Sequence, residues 1–218
     1  MPAPTHLAEA LRAGLTQLDI VLDAGQQEKL LAYLLLLDKW NHAYNLSGIK
    51  DIGQMVAYHL LDSIAMVPFI TGNTILDVGT GAGLPGIPLA ICLPDKKFLL
   101  LDANGKKTRF LFQVKTELGL DNVSVFHQRV ENFQSPEQID IVLCRAFSAL
   151  DKFVGQSAPL VSGTGKLLAM KGQFPAEELA ALPANCTVTG TTELAVPGVE
   201  GTRHVIEIRP TDGHLKQD

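Results

Sequence analysis

The stretch from Asp77 to Gly86 reads Asp-Val-Gly-Thr-Gly-Ala-Gly-Leu-Pro-Gly, a carboxylate followed by closely spaced glycines and a proline. Ile75, Leu76 and Val78 make the approach to it apolar, and Leu84 to Leu93 is again apolar and long enough for a helix. Gly79, Gly81 and Gly83 permit backbone conformations and close approaches that a Cβ would forbid. Pro85 suits the first turn of a helix, where a missing N–H has no intrahelical partner to lose. Strand end, glycine turn and helix start together make a nucleotide cradle. A second carboxylate, Asp102, and an arginine, Arg145, each stand at the carboxyl end of an apolar run, where ligands bind in open α/β sheets.

The elements that would position these groups fall into two parts. Residues 5–70 read as helical: Leu30, Leu31, Leu34, Leu35, Leu37 and Trp40 recur at helical spacing within Gln26 to Tyr44. Asp51 can cap a further helix carrying Ile52, Met55, Val56, His59, Leu60, Ser63 and Val67, until Pro68 and Gly72 punctuate it. Residues 1–70 are therefore expected to be a helical cap, and residues 71–218 the main domain. From Asn73 onward strands and helices alternate. Strands are expected near Lys96 to Ala103, Asn122 to His127, Asp140 to Phe147 and Lys166 to Met170, with a helix over Gly105 to Leu118. This rhythm favours a parallel sheet covered on both faces. Cys186 to Val196 and Thr202 to Arg209 are joined by too few residues for a crossover helix, so they should pair antiparallel. The expected fold class is α/β, a Rossmann-like, mostly parallel sheet ending in an antiparallel hairpin.

At 218 residues the chain can bury a substantial core without staples. Its three cysteines, Cys92, Cys144 and Cys186, are unclustered, which suggests neither disulfides nor a metal site and is natural in a reducing compartment. No signal-peptide pattern opens the chain, and no apolar run is long enough to span a bilayer, so a cytoplasmic protein is expected. The net charge of −5 argues against a general polyanion binder. Between Lys96 and Lys115, however, lie six cations (Lys96, Lys97, Lys106, Lys107, Arg109 and Lys115) against one anion, Asp102. Such a run is either a solvated helix face or a docking surface for phosphates.

Gly81 to Gly86 matches G-x-G-x-x-G, and Asp102 lies at a suitable distance for ribose recognition, so a dinucleotide dehydrogenase has to be weighed. Asp77 argues otherwise, because the dinucleotide fingerprint has an apolar strand residue before its first glycine. The motif resembles instead the first motif of S-adenosylmethionine-dependent methyltransferases, whose carboxylate lies near the amino-acid end of the cofactor, and the closing hairpin resembles that class too. In this frame Gly79, Gly81, Gly83 and Leu84 cradle the cofactor, Asp102 accepts from the ribose hydroxyls, and Val130 with Glu131 flanks the adenine. For Glu131 a surface role is the alternative. Arg145 is assigned to the catalytic site, touching cofactor and target base. Cys144, within Ile-Val-Leu-Cys, reads as a buried strand residue rather than a nucleophile, and His59 and His204 as packed or surface histidines.

A closer resemblance runs along the chain. Residues 77–90, Lys39-Trp40-Asn41, Tyr44 to Ser47, His59-Leu60-Leu61-Asp62-Ser63, Arg145-Ala146-Phe147, Lys171-Gly172 and Arg203-His204 resemble, in order and spacing, the glucose-inhibited division protein B family. Lys106 to Arg109 is a looser match. The resemblance spans about residues 25–210. It implies transfer of the methyl group of S-adenosylmethionine to guanine N7 in the 530 loop of 16S ribosomal RNA, recognised in the small ribosomal subunit; a monomer is expected. It also implies RNA-facing roles for Arg129, Lys171 and Arg203, beside the candidate phosphate contacts Lys106, Lys107 and Arg109. A small-metabolite methyltransferase and a non-catalytic, cofactor-gated RNA-binding protein are the alternatives.

Overall fold

The structure is a computed structural model that describes residues 3–147 and 149–211. Five strands, β1 (Thr74–Val78), β2 (Lys97–Asp102), β3 (Val123–His127), β4 (Ile139–Arg145) and β5 (Val161–Lys171), run parallel. Two more, β6 (Cys186–Leu194) and β7 (Arg203–Pro210), complete a seven-stranded sheet in the order β3-β2-β1-β4-β5-β7-β6. β7 pairs antiparallel with β6, as the short link demands, and also with β5, so it enters the sheet between them. The fifth strand begins earlier than its apolar core, Lys166 to Met170, because Val161 pairs with Ile139 ahead of a register shift that leaves extra residues in β5 before Lys166 pairs with Ile141.

Alternation along the strands sorts side chains to the two faces. Ile75, Phe98, Leu100, Ile141, Leu143 and Leu168 join one apolar cluster, while Leu76, Leu99, Leu101, Val142, Leu167 and Ala169 join the other. By the same parity Asp77, Asp102, Arg145 and Arg203 belong to the first face, and Lys171 and His204 to the second. The first face carries α1 (Thr5–Gln17), α2 (Ala24–Tyr44), α5 (Gly86–Cys92) and α6 (Gly105–Leu118). α7 (Leu150–Ser157) covers the second.

The N-terminal helices are docked by polar contacts as well as by burial. Asp23 caps α2 through a capping box with Gln26, and the Gln26 Nε2 also donates to the carbonyls of Ile91 and Cys92 at the end of α5. Leu7, Leu11, Leu34 and Leu37 share one core with Ile75, Leu100 and Leu143. Helices from residues 5–70 and the sheet therefore fold around common apolar contacts; residues 1–2 and 212–218 at the two ends lie outside the described residues.

The helix expected from Ile52 to Val67 is interrupted. α3 (Ile52–Met55), capped by Asp51, passes through a π turn (Val56–Leu61) into α4 (Asp62–Ile64), and a 3₁₀ turn follows at Val67–Phe69. A π turn carries an extra residue and changes which side chains share a face. Tyr58 and Asp62 both reach strand ends here. The helix after the glycine turn starts at Gly86, so Pro85 stands just ahead of it.

Candidate active site

Two adjoining cavities open along the carboxyl edge of the parallel strands and share Gly79. The larger, about 600 Å³, is lined by the 79–82 turn, Leu84, the 46–49 loop, Tyr58, His59, Asp62, Lys107, Arg145 and Ala146, with Met170, Lys171, Gly172 and Arg203 across from them. The smaller, about 230 Å³, is lined by Val78, Leu101, Asp102, Ala103 and residues 128–131, with Phe147. Ala146 has φ +59, a left-handed conformation uncommon for alanine, and it sends its neighbours apart: Arg145 faces the larger cavity and Phe147 the smaller.

Asp77 lies beneath the glycine turn rather than in the wall of either cavity. Its Oδ2 accepts from the Thr80 hydroxyl at 2.6 Å and the Gly86 N–H at 2.9 Å, clamping both ends of the turn. Its Oδ1 has no hydrogen-bond partner among the described residues, and burial pushes its carboxyl up to about 6, against the pull of those two donors. Gly83 is likewise absent from the lining: at φ +88 it packs against Ile87 and Leu111, where a Cβ would lie 2.5 and 2.7 Å from their side chains. Gly79, at φ +68, is different, since a Cβ there would meet nothing within 4 Å. Tyr33 of α2 reaches under the turn to donate to the Ala82 carbonyl at 2.8 Å.

Asp102 ends β2 between the turn and α6. One oxygen accepts from the Gly81 N–H at 2.9 Å and the other from the Asn104 N–H at 2.8 Å, so each keeps acceptor capacity, and Asp102 lines the smaller cavity. Lys107 points its Nζ to within 3.9 Å of Asp102 and lines the larger cavity, whereas Lys106 and Arg109 are exposed on α6. The basic run of the sequence is thus split, and Lys107 belongs to the cleft. Val130 and Glu131 sit in a single 3₁₀ turn, with Arg129 before it, on the wall of the smaller cavity. The Glu131 carboxylate also accepts from Gln156.

At the other end, Arg145 donates to the Tyr58 carbonyl at 3.0 Å and to Asp62 at 3.1 Å, and Arg203 donates to the second Asp62 oxygen at 3.0 Å. Lys171, on the opposite sheet face, donates to both oxygens of Glu178 at 2.7 and 3.0 Å. Cys144 is fully packed, and burial raises its thiol well above its ordinary range, as suits a structural strand residue. The His59 Nε2 lies 2.7 Å from the Ser47 hydroxyl; burial, aided by the Arg145 charge, lowers its imidazole to about 4 and keeps it neutral.

Sequence reasoning placed Asp102 and Arg145 on this edge, and the resemblance gave Arg129, Lys171 and Arg203 RNA-facing roles, but neither gave a role to Ser47, Tyr58, Asp62 or Phe147. His59-Leu-Leu-Asp62-Ser carried a signal as a short motif. Its role depends on the π turn, which the apolar spacing does not reveal.

The arrangement is suited to an elongated ligand bearing a nucleoside at one end. Gly79 leaves room where any side chain would intrude, Asp102 offers an acceptor to paired hydroxyls, and Val130 and Phe147 offer apolar walls to a flat ring. Sheet order, antiparallel β7 and this cleft define a Rossmann-like class I methyltransferase fold. A tRNA methyltransferase from B. subtilis has the same fold, with a TM-score of 0.55 over 69% of this chain and 66% of that one at 13% identity. The family model for rRNA small subunit methyltransferase G matches residues 26–206. Proteins named ribosomal RNA small subunit methyltransferase G from Marinobacter nauticus and Pseudomonas aeruginosa are 49% and 50% identical, covering 94% of this chain and 95% and 97% of theirs. The chain belongs to that family.

Proposed function

We propose that this protein methylates N7 of a guanine in 16S ribosomal RNA, with S-adenosylmethionine as donor and the small ribosomal subunit as partner. The cleft carries the reading: a nucleoside end at Asp102, Val130 and Glu131 continues past Gly79 into a larger cavity walled by Arg145, Arg203 and Lys171. The cofactor would bring an electrophilic methyl group on a sulfonium. Guanine N7 has a lone pair and needs no general base, which agrees with a cavity whose histidine is made only weakly basic by burial and is tied to Ser47. The protein's task is then to hold the two reactants in line and exclude water. Arg145 faces the larger cavity, where the methyl group and the target base would meet, and can touch both reactants there. Arg203, Lys171 and Arg129 extend the cationic rim, where phosphates and unpaired bases of a structured loop can be held. Exposed Lys106 and Arg109 extend it over α6.

Incubating the protein with methyl-labelled S-adenosylmethionine and undermethylated small subunits tests the proposal. Label in 16S RNA supports it. Label in a soluble small acceptor alone would point to the metabolite methyltransferase, and RNA binding without turnover to the non-catalytic reading.

A further inference from the structure

Asp62 is 3% exposed, yet it meets two guanidinium groups delivered from the ends of different strands. One oxygen takes Arg145 from the end of β4 and the other takes Arg203 from the start of β7. The π turn just before Asp62 supplies further restraints: the Tyr58 carbonyl accepts from Arg145, the Tyr58 ring lies 5.9 Å from the Arg203 guanidinium, and the Tyr58 hydroxyl accepts from the Glu200 N–H. Asp62 is also the acidic residue in the lining of the larger cavity, which otherwise carries Lys107, Arg145, Lys171 and Arg203.

Resting on the proposed function, we infer that Asp62 is a positioning residue for methyl transfer: it fixes Arg145 and Arg203 in one geometry and offsets their charge beside the reacting centre. Both roles follow from the chemistry. Two long arginines at the mouth of a cavity lose much rotamer freedom when placed, and a shared buried carboxylate fixes both in advance. A base methylated at N7 is cationic, as is a sulfonium, so a wall of uncompensated cations opposes the charged reactant and the charged product alike. One buried carboxylate relieves that opposition while leaving donors directed along the wall. Each oxygen of the carboxylate is engaged by one arginine, and Asp62 acts through them.

Two variants separate charge from position. Asp62→Asn removes the charge at constant size. It is expected to weaken S-adenosylmethionine binding, to bind RNA at least as tightly as wild type, and to steepen the salt dependence of RNA binding by about 0.7 in log–log slope, one more effective cation. Turnover at saturation should fall at least tenfold. Stronger RNA binding with slower turnover is a combination that a merely structural residue would not give. Asp62→Glu retains the charge but moves it by one methylene, so turnover should fall about 100-fold with the salt slope unchanged, as for a reactive geometry displaced by about 1 Å.

Turnover of a folded Asp62→Asn protein within threefold of wild type, or an unchanged salt slope, overturns the inference. If Asp62→Asn does not fold, Asp62→Glu decides, and wild-type turnover there overturns it equally. Wild type is assayed alongside: absence of transfer in wild type refutes the proposed function instead, whereas an active wild type with indifferent variants refutes only the role of Asp62.

Discussion

Gly79 and Gly83 are both left-handed, yet alanine at the two positions should have separate consequences. At Gly79 a Cβ meets no atom within 4 Å, so the structural penalty of Gly79→Ala is the left-handed backbone alone, about 1–2 kcal/mol. Gly79 lines both cavities, so the added methyl should displace the cofactor and weaken S-adenosylmethionine binding at least about tenfold, or 1.4 kcal/mol. At Gly83 the Cβ would lie 2.5 Å from Ile87 Cγ1 and 2.7 Å from Leu111 Cδ2, both fully buried. Overpacking adds about 1–3 kcal/mol to the same backbone strain, giving about 2–5 kcal/mol, a large share of a typical domain's stability. Urea denaturation measures the stability terms, and titration calorimetry measures cofactor affinity at a temperature where both variants are folded. Cofactor affinity of Gly79→Ala within twofold of wild type, or Gly83→Ala as stable as Gly79→Ala, would refute the reasoning.

Charge reversal of Lys106 and Arg109 together should weaken RNA binding and reduce the magnitude of its salt slope by more than about 1, with cofactor affinity unchanged, because both side chains are exposed on α6; filter binding across salt concentrations checks this. Lys107→Glu should instead lower cofactor affinity, since it places a second carboxylate beside Asp102 in the cleft, and calorimetry distinguishes the two variants. His59 has a folded pKa of about 4 against an ordinary 6.5, so its stabilising contribution is complete above pH 6.5 and is lost as pH falls toward 4, by about 3 kcal/mol. Asp77, raised to about 6 from 3.8, has the opposite sign, contributing fully below 3.8 and losing its contribution as pH rises through 6. His59→Gln should therefore flatten acid destabilisation between pH 6.5 and 4, leaving the opposing Asp77 trend; denaturation midpoints across that range measure it. Tyr33→Phe removes the donor to the buried Ala82 carbonyl and should cost about 1–3 kcal/mol in urea denaturation.

The central strands were legible because they have contiguous apolar cores ending at a polar or glycine-rich edge, as Phe98 to Asp102 and Ile141 to Arg145 do. The closing antiparallel pair followed from loop length alone. Asp102 and Arg145 could be located by their places at strand ends, and parity along the strands then explains which face each occupies. What the sequence concealed depends on phase and on distance across the fold. The π turn at Val56–Leu61 has no distinguishing composition, so the meeting of Asp62 with Arg145 and Arg203 could not be anticipated from helical spacing. Charge clustering treated Lys106, Lys107 and Arg109 as one patch, whereas the turn of α6 directs Lys107 inward and the other two outward. Asp77 was expected near the cofactor, but its packing beneath Thr80 and Gly86 makes shaping the turn its visible work.

The most direct measurement is to locate the methyl group itself. 16S RNA from small subunits treated with this protein and labelled S-adenosylmethionine would be divided: one portion digested to nucleosides to identify the labelled product by mass and chromatographic mobility, the other kept intact and mapped by reductive strand cleavage. The account predicts label in 7-methylguanosine at a single nucleotide of the 530 loop, lost when Arg145 is replaced by alanine. Label on a ring carbon, a ribose oxygen or an exocyclic amine, or no label at all, would contradict it.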